Sequence, residues 1–205
     1  MSAVAAKRLA PPDAATIAFI GCGTQARSHA LYLRAVRPSL RHAVVFGRGA
    51  ASRDSFASDL RDAGWVVDMA ADPNATVAAA DIAVTTVPEY PGFAAFLDPA
   101  RLRPGGLAVG VDLGRSWLPA GLGHFATVAT DDAAQSAHLV EEGRLNAPAT
   151  FDADLAALTT GAGVTHTADK RAFFVFAGHV LGDLAAAAAV YQRACDSGIG
   201  TRLPL

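Results

Sequence analysis

Cysteine, methionine and tryptophan occur only twice each in this chain of 205 residues. Cys22 and Cys195 lie far apart and form no CxxC pair, so neither a disulfide framework nor a thiolate metal site is expected, and a reducing cytoplasm is the expected compartment. Charge of one sign is also lacking. A formal net charge of -2 with scattered Lys and Arg leaves no concentrated basic face, which argues against nucleic acid or a membrane surface as partner. The six histidines contain no HExxH pattern or other close ligand pair, so no metal is expected. Long apolar runs are lacking too: the most apolar region, Ala172 to Val190, is broken by His179 and Asp183, and no N-terminal apolar core with a cleavage site is seen, so neither an export signal nor a membrane span is expected. What remains is a chain long enough for one well-buried core or two small ones, suited to a small, nearly neutral ligand.

Runs rich in Val and Ile alternate with Ala-rich segments of helical length, the rhythm of parallel strands joined by crossover helices. Strands are expected at 17–20, 43–46, 65–67, 82–87, 107–111 and, last, 125–129; helices are expected at 25–35 and 52–63. Phe56 and Leu60 stand four apart, and Gly64 suits the left-handed position that closes such a helix. Asp72-Pro73-Asn74 carries cap and turn chemistry, and Asp131 and Asp132 read as further helix caps. Residues 90–104 hold three prolines and read as a loop with brief helical turns. From Asp131 onward helices are expected, the last a long apolar one over roughly 172–197 that leaves the sheet and exposes Phe173, Phe174 and Phe176. Its run Ala185 to Ala189 gives high helix propensity and a small-residue face. The fold class is therefore α/β, a Rossmann-type doubly wound, mostly parallel sheet with a long C-terminal helix.

The segment IAFIGCGTQARSHA stops an apolar strand at Gly21-Cys22-Gly23 and continues as a helix. In a dinucleotide-binding turn the first Gly permits the tight reversal and the second lets backbone amides approach a pyrophosphate, whose charge meets the helix N-terminus. Gly21 and Gly23 fit those roles, and Ala26 fills the third position of a GxGxxA pattern, where a small side chain lets helix and strand pack closely. The second strand runs into Phe46-Gly47-Arg48 with no acid at its end. A carboxylate there bonds the ribose hydroxyls of NAD, whereas an Arg accommodates the 2′-phosphate of NADP. NADP(H) is thus expected over NAD(H), with Arg53 a weaker second contact, and a solvated Arg48 is the alternative.

Thr85 and Thr86 end the fourth strand at the carboxyl edge, where such sheets bind ligands, and their hydroxyls are candidates for the ribose or nicotinamide. Thr85 also reads as an ordinary β-branched strand residue. Asp112 emerges at the same edge after Leu107 to Val111, a place for a general base that accepts a proton from a substrate ammonium or orients water toward an imine carbon. The plainer reading is a loop Asp bonded to backbone amides.

The succession GCGTQARSHA, DIAVTTVPEY, VGVDLGRSW, DDAAQSAHLVEEG and GHVLGDLAAAAAVYQRACDSGIG resembles the ornithine cyclodeaminase/mu-crystallin family in order and spacing, over nearly the whole chain. The ending GxxxxDLAxA sets it apart from generic nucleotide-binding domains. The resemblance implies a Rossmann domain beside a second domain that binds substrate and usually forms the dimer. It implies hydride transfer between a nicotinamide and the α-carbon of an amino acid or its imine, with deamination in the cyclodeaminase, and relatives that are ketimine reductases or alanine dehydrogenases. On that footing Gly21, Gly23, Thr24 and Gln25 match the pyrophosphate loop, Arg48 matches the position after the second strand, and Asp112 matches the catalytic aspartate.

Three departures accompany the resemblance. The family's substrate-binding Lys, Arg and Glu precede the Rossmann domain, whereas this sequence opens at SAVAAKRLA, inside the helix that follows them. Val175-Phe176 stands where many members have Lys-Ser, and Gly47-Arg48 replaces the acidic strand end of the NAD-dependent cyclodeaminase. The expected organisation is one NAD(P)-binding domain, about residues 14–170, with helices at 1–13 and 171–205 left from a substrate domain. The expected function is a shortened amino-acid-metabolising enzyme acting on a small amino acid or cyclic imine, with a homo-oligomer through the C-terminal helix. The alternative is a protein of mu-crystallin type that holds NADP(H) without turnover. A purely structural oligomerisation module would leave GCGTQA without a role.

Overall fold

A computed structural model describes residues 1–201 and 203. It contains a sheet of seven strands: β1 (Thr16–Ile20), β2 (His42–Phe46), β3 (Val66–Met69), β4 (Ile82–Thr85), β5 (Leu107–Gly110), β6 (Phe125–Ala129) and β7 (Arg171–Val175). Their spatial order is β3-β2-β1-β4-β5-β7-β6 and every neighbouring pair is parallel. The helices are α1 (Ser2–Leu9), α2 (Thr24–Val36), α3 (Ala50–Asp62), α4 (Pro73–Ala78), α5 (Ala133–Glu141), α6 (Leu155–Thr160) and α7 (Val180–Ser197). This is the expected α/β architecture.

The central strands β1, β4 and β5 are almost wholly apolar because both faces are covered, whereas the edge strand β3 is largely exposed. In β1, Ile17 and Phe19 enter a core shared with Leu9, Leu33, Phe56 and Leu60, while Ala18 and Ile20 enter the opposite core with Val77, Trp117 and Phe125. Phe19 meets Phe56 edge to face at 5.2 Å. Asp81 pins the start of β1 by accepting from the Ala15 and Thr16 amides at 2.8 and 2.9 Å. The helix ends follow local chemistry: Asp72 accepts from Asn74 N at 3.0 Å with Pro73 in the first turn of α4, and Asp132 accepts from Gln135 N at 2.8 Å to cap α5. Gly64 closes α3 with φ +78°, the left-handed geometry expected of it. Asp131 is no simple cap; its buried carboxylate accepts from Thr130 and Ser136 hydroxyls and from the amides of Asp132 and Gly178.

The largest departure from expectation lies after residue 170. Residues 172–197 are not one helix: Arg171–Val175 forms β7, which inserts between β5 and β6, so Phe125–Ala129 is neither the last strand nor β5's neighbour. Phe173 and Phe174 are fully buried rather than exposed, and Phe176 is half-buried. Phe173 stacks on Phe125 with centroids 4.6 Å apart and meets Trp117 at 6.2 Å. Gly110 makes room for it, since a Cβ there would stand 3.0 Å from the Phe173 ring. A short apolar run such as residues 172–175 cannot be assigned to helix or strand by periodicity. Its place in the sheet is decided by partners about 45 and 65 residues away in the chain.

α7, by contrast, has no buried residue, and Val180, Leu181, Leu184, Val190 and Tyr191 are exposed on it. No helix among the described residues is long and apolar enough to cross a membrane.

Candidate functional site

Strand order reverses between β1 and β4, and a ligand crevice opens at the carboxyl ends of strands at such a switch point. Gly21 leaves β1 with φ +107°, and a Cβ on it would lie 2.5 Å from Thr86 Oγ1 and 2.9 Å from the Thr86 carbonyl oxygen. Glycine is required there by backbone conformation and by the close passage of the β4 loop. Gly23 differs. Its φ of -87° is ordinary, and a Cβ on it would meet nothing within 4 Å. Only the space in front of it is kept clear.

Behind the turn, Ala26 is fully buried where α2 packs on the sheet. α2 is 13 residues long and has no side-chain cap, so its first-turn amides are free beside Gly23. Arg27 takes the turn's carbonyls, donating to Cys22 O at 2.7 Å, while it pairs with Asp59 at 2.7 Å. Cys22 is buried, and burial pushes its thiol up to about 11, so it stays protonated at neutral pH. Gly47 is glycine because a Cβ there would stand 2.6 Å from Cys22 Sγ.

The cleft in front of the turn encloses about 300 Å³ and is lined by Gly21, Gly23, Arg48, Ser52, Thr86 and Pro88 among others. Thr86 Oγ1 is buried there with no hydrogen-bond partner. Of the other residues singled out from the sequence, Thr24 is exposed as the first residue of α2, and Arg53 is held at 3.1 Å by Asp54. Gln25 lies on a second cleft of about 550 Å³ with His29, Tyr32, Val111 and Phe176. Thr85 is fully buried and turned away from the first cleft, its hydroxyl donated to Asp112 Oδ1 at 2.7 Å.

Asp112 is 4% exposed. Thr85 holds one carboxylate oxygen and the Ser116 hydroxyl donates to the other. Burial raises its pKa above the ordinary value of 3.8, and the Ser116 and Thr85 hydroxyls pull the other way. The turn that follows is tightly determined. Leu113 has φ +60°, the one positive value of a non-glycine among the described residues, and Asn146 bonds Leu113, Gly114 and Trp117 carbonyls at 3.0, 2.8 and 2.8 Å. Arg115 donates to Asp112 O at 3.0 Å and pairs with Glu89. Strain of this kind persists only where surroundings enforce it, and it fixes the carboxylate's direction.

His29 and Ser2 were not visible from spacing, being 27 residues apart. His29 Nδ1 lies 2.7 Å from the Gln25 carbonyl, which can only accept, so Nδ1 carries the proton and Nε2 accepts from Ser2 Oγ at 2.8 Å. Burial holds this imidazole below the ordinary histidine value and keeps it neutral at pH 7.

Three features fit a dinucleotide: uncapped amides at α2, a clear space where a Gly23 Cβ would project, and the orphaned Thr86 hydroxyl. No cluster of metal-ligating side chains occurs among the described residues. The model of the ornithine cyclodeaminase/mu-crystallin family matches residues 1–198. This chain belongs to that family.

A Rhizobium meliloti (strain 1021) protein named as a dehydrogenase is 41% identical over 87 residues, 42% of this chain and 26% of that protein. A lysine cyclodeaminase, solved to explain recognition of L-lysine, L-ornithine and L-2,4-diaminobutyric acid, is 28% identical with a TM-score of 0.81, covering 100% of this chain and 60% of its own. The Thermococcus litoralis Δ1-pyrroline-2-carboxylate reductase, solved with NADH and L-proline, has a TM-score of 0.84 at 20% identity, covering 98% of this chain and 65% of its own. At that identity it shows the shared fold. The chain spans less than two thirds of the length of these two proteins.

Proposed function

We propose that this chain is the coenzyme-binding portion of an NAD(P)-dependent enzyme of amino-acid metabolism that works at the α-carbon of an amino acid or its imine. The carrying observation is Gly23: nothing in the protein needs glycine there, yet its Cβ position faces open space beside uncapped helix amides. Membership in the family supports the reading, as does the likeness to the lysine cyclodeaminase.

The α2 amides and Gly21–Gly23 backbone would hold the diphosphate, and the Thr86 hydroxyl would bond a ribose oxygen. Arg48 and Ser52, with no acid at the end of β2, favour NADP(H) over NAD(H). When bound, the nicotinamide accepts or supplies the hydride. Asp112 is the proposed general base: Thr85 and Ser116 hold its carboxylate in one direction, burial raises its proton affinity above that of an exposed carboxylate, and its neighbour Val111 lines the wider cleft. The wider cleft, which adjoins Val111, would admit a small amino acid or cyclic imine. A cyclodeaminase-type reaction, a ketimine reduction and an amino-acid dehydrogenation all begin from this arrangement.

The test titrates NADP(H) and NAD(H) calorimetrically, then supplies ornithine, lysine, alanine and cyclic imines while following ammonia and nicotinamide absorbance. Dinucleotide binding with turnover of one such substrate is expected. Binding without turnover would move the chain to the mu-crystallin-type holding role, and no binding at all would remove the proposal.

A further inference from the structure

We infer that Tyr90 is the positioning residue for coenzyme selectivity: it holds Arg48 over the mouth of the cleft with the guanidinium donors free for a phosphomonoester. This rests on the reading of the cleft as a dinucleotide site. Arg48 Cζ lies 4.1 Å from the Tyr90 ring centroid, well within cation–π range.

Two other arginines stack on aromatic rings, and the contrast with them is informative. Arg27 over Phe56 also bonds Asp59, Ser55 and Cys22 O, and Arg34 over Trp65 also bonds the carbonyls of Ala63 and Gly64. Arg48 has its ring and nothing else: among the described residues it has no hydrogen-bond partner and no carboxylate in ion-pair range. A guanidinium has five N–H donors in a planar fork that matches phosphate oxygens, and here all five are uncommitted.

The surroundings suit a dianion. α3, 13 residues long, has Gly49 as its N-cap and no side-chain cap, so its first amides are free, and Ser52 stands in the same cleft wall. Tyr90 reaches this place from the far side. It follows β4, whereas Arg48 follows β2, and β1 lies between those strands. The stack therefore spans the carboxyl end of β1, above the glycine turn. Tyr90 is in turn buttressed edge to face by Phe93 at 5.2 Å, and its neighbour Glu89 is paired with Arg115. An unsupported Arg would lose its rotamer freedom on gripping phosphate. Stacking on a braced ring removes much of that loss beforehand.

The test measures dissociation constants of NADP(H) and NAD(H) by calorimetry for the wild type, Tyr90→Leu, Tyr90→Phe, Arg48→Ala and the double variant Arg48→Ala/Tyr90→Leu, with thermal unfolding as the check on folding. Tyr90→Leu should weaken NADP(H) by about fivefold, the scale of a partly exposed cation–π contact, and leave NAD(H) within about twofold. Tyr90→Phe, which keeps the ring face, should retain the wild-type ratio. In the Arg48→Ala background, Tyr90→Leu should no longer alter the ratio. An unchanged ratio in folded Tyr90→Leu overturns the inference while the dinucleotide reading stands. A wild type that prefers NAD(H) overturns it too, and a wild type that binds neither coenzyme overturns the reading beneath it.

Discussion

The turn after β1 and the turn after β5 sit on the same edge of one sheet, yet they are finished in opposite ways. At Gly21–Gly23 the protein leaves things undone: uncapped amides, a space with no neighbour, a buried hydroxyl with no partner. At Asp112 everything is done internally, with hydroxyls on both carboxylate oxygens and a strained turn locked by Asn146. Unsatisfied polar groups cost free energy in the empty protein and are tolerable where a ligand completes them. A satisfied buried charge binds nothing more of its own; its value is a fixed direction and a shifted proton affinity. One edge thus combines an open glycine turn with an internally satisfied carboxylate, the receptor and the base of the proposed function.

Replacing Asp112 attacks the second half of that contrast hardest. Asp112→Asn should lower kcat by about 10²- to 10⁴-fold, the range of a lost general base. NADP(H) affinity should stay as in the wild type, because Asp112 lies outside the cleft in front of the glycine turn. A joint loss of turnover and binding would mean that the two turns are one unit. Gly23→Ala attacks the first half. It should weaken the dinucleotide by about tenfold or more, since the methyl displaces a charge-assisted hydrogen bond. Stability should hold within about 0.5 kcal/mol in urea unfolding, because that Cβ meets no protein atom. Gly21→Ala, unlike Gly23→Ala, should cost stability. Its strained φ and collision with Thr86 should cost about 1–3 kcal/mol in the empty protein.

A smaller effect sharpens the contrast through pH. Asp112 has a raised pKa in the folded state, so between 3.8 and that raised value the folded form binds more protons than the unfolded one. Its contribution to stability is therefore full below 3.8 and lost as pH rises through the folded pKa. Stability of the wild type measured against pH should carry this decline, and Asp112→Asn should remove it. The smallest change is Thr86→Val, which deletes the partnerless hydroxyl. It should leave the empty protein unchanged or more stable by up to about 1 kcal/mol, and weaken the coenzyme a few-fold by calorimetry.

Much of the edge was legible in the residues themselves. GCGTQA places its glycines where the structure has them, and Arg48 and Thr86 line the expected cleft. Thr85 shows where spacing stops informing. As adjacent residues in an extended chain, Thr85 and Thr86 point to opposite sides, and only the packing of β4 beside β5 shows that the first reaches Asp112. Ser116, Tyr90 and the Ser2–His29 pair carried no signal of their own, because each gains its role from a partner on another loop or helix. Phe173 and Phe174 mislead for a related reason. An apolar run followed by a long Ala-rich helix reads as one helix until a gap between two strands is found for it.

Local chemistry alone determined the parallel α/β rhythm, the glycine turn, the caps of α4 and α5 and the lack of an acid after β2, because each depends on residues a few positions apart. Tertiary structure alone decided that β7 enters the sheet, that Asp112 is buried between two hydroxyls and that Arg48 rests on a ring from across β1. Those outcomes depend on which distant segments come to share a surface. Burial and cross-strand neighbours set that surface, and no short window of the chain contains both sides of it.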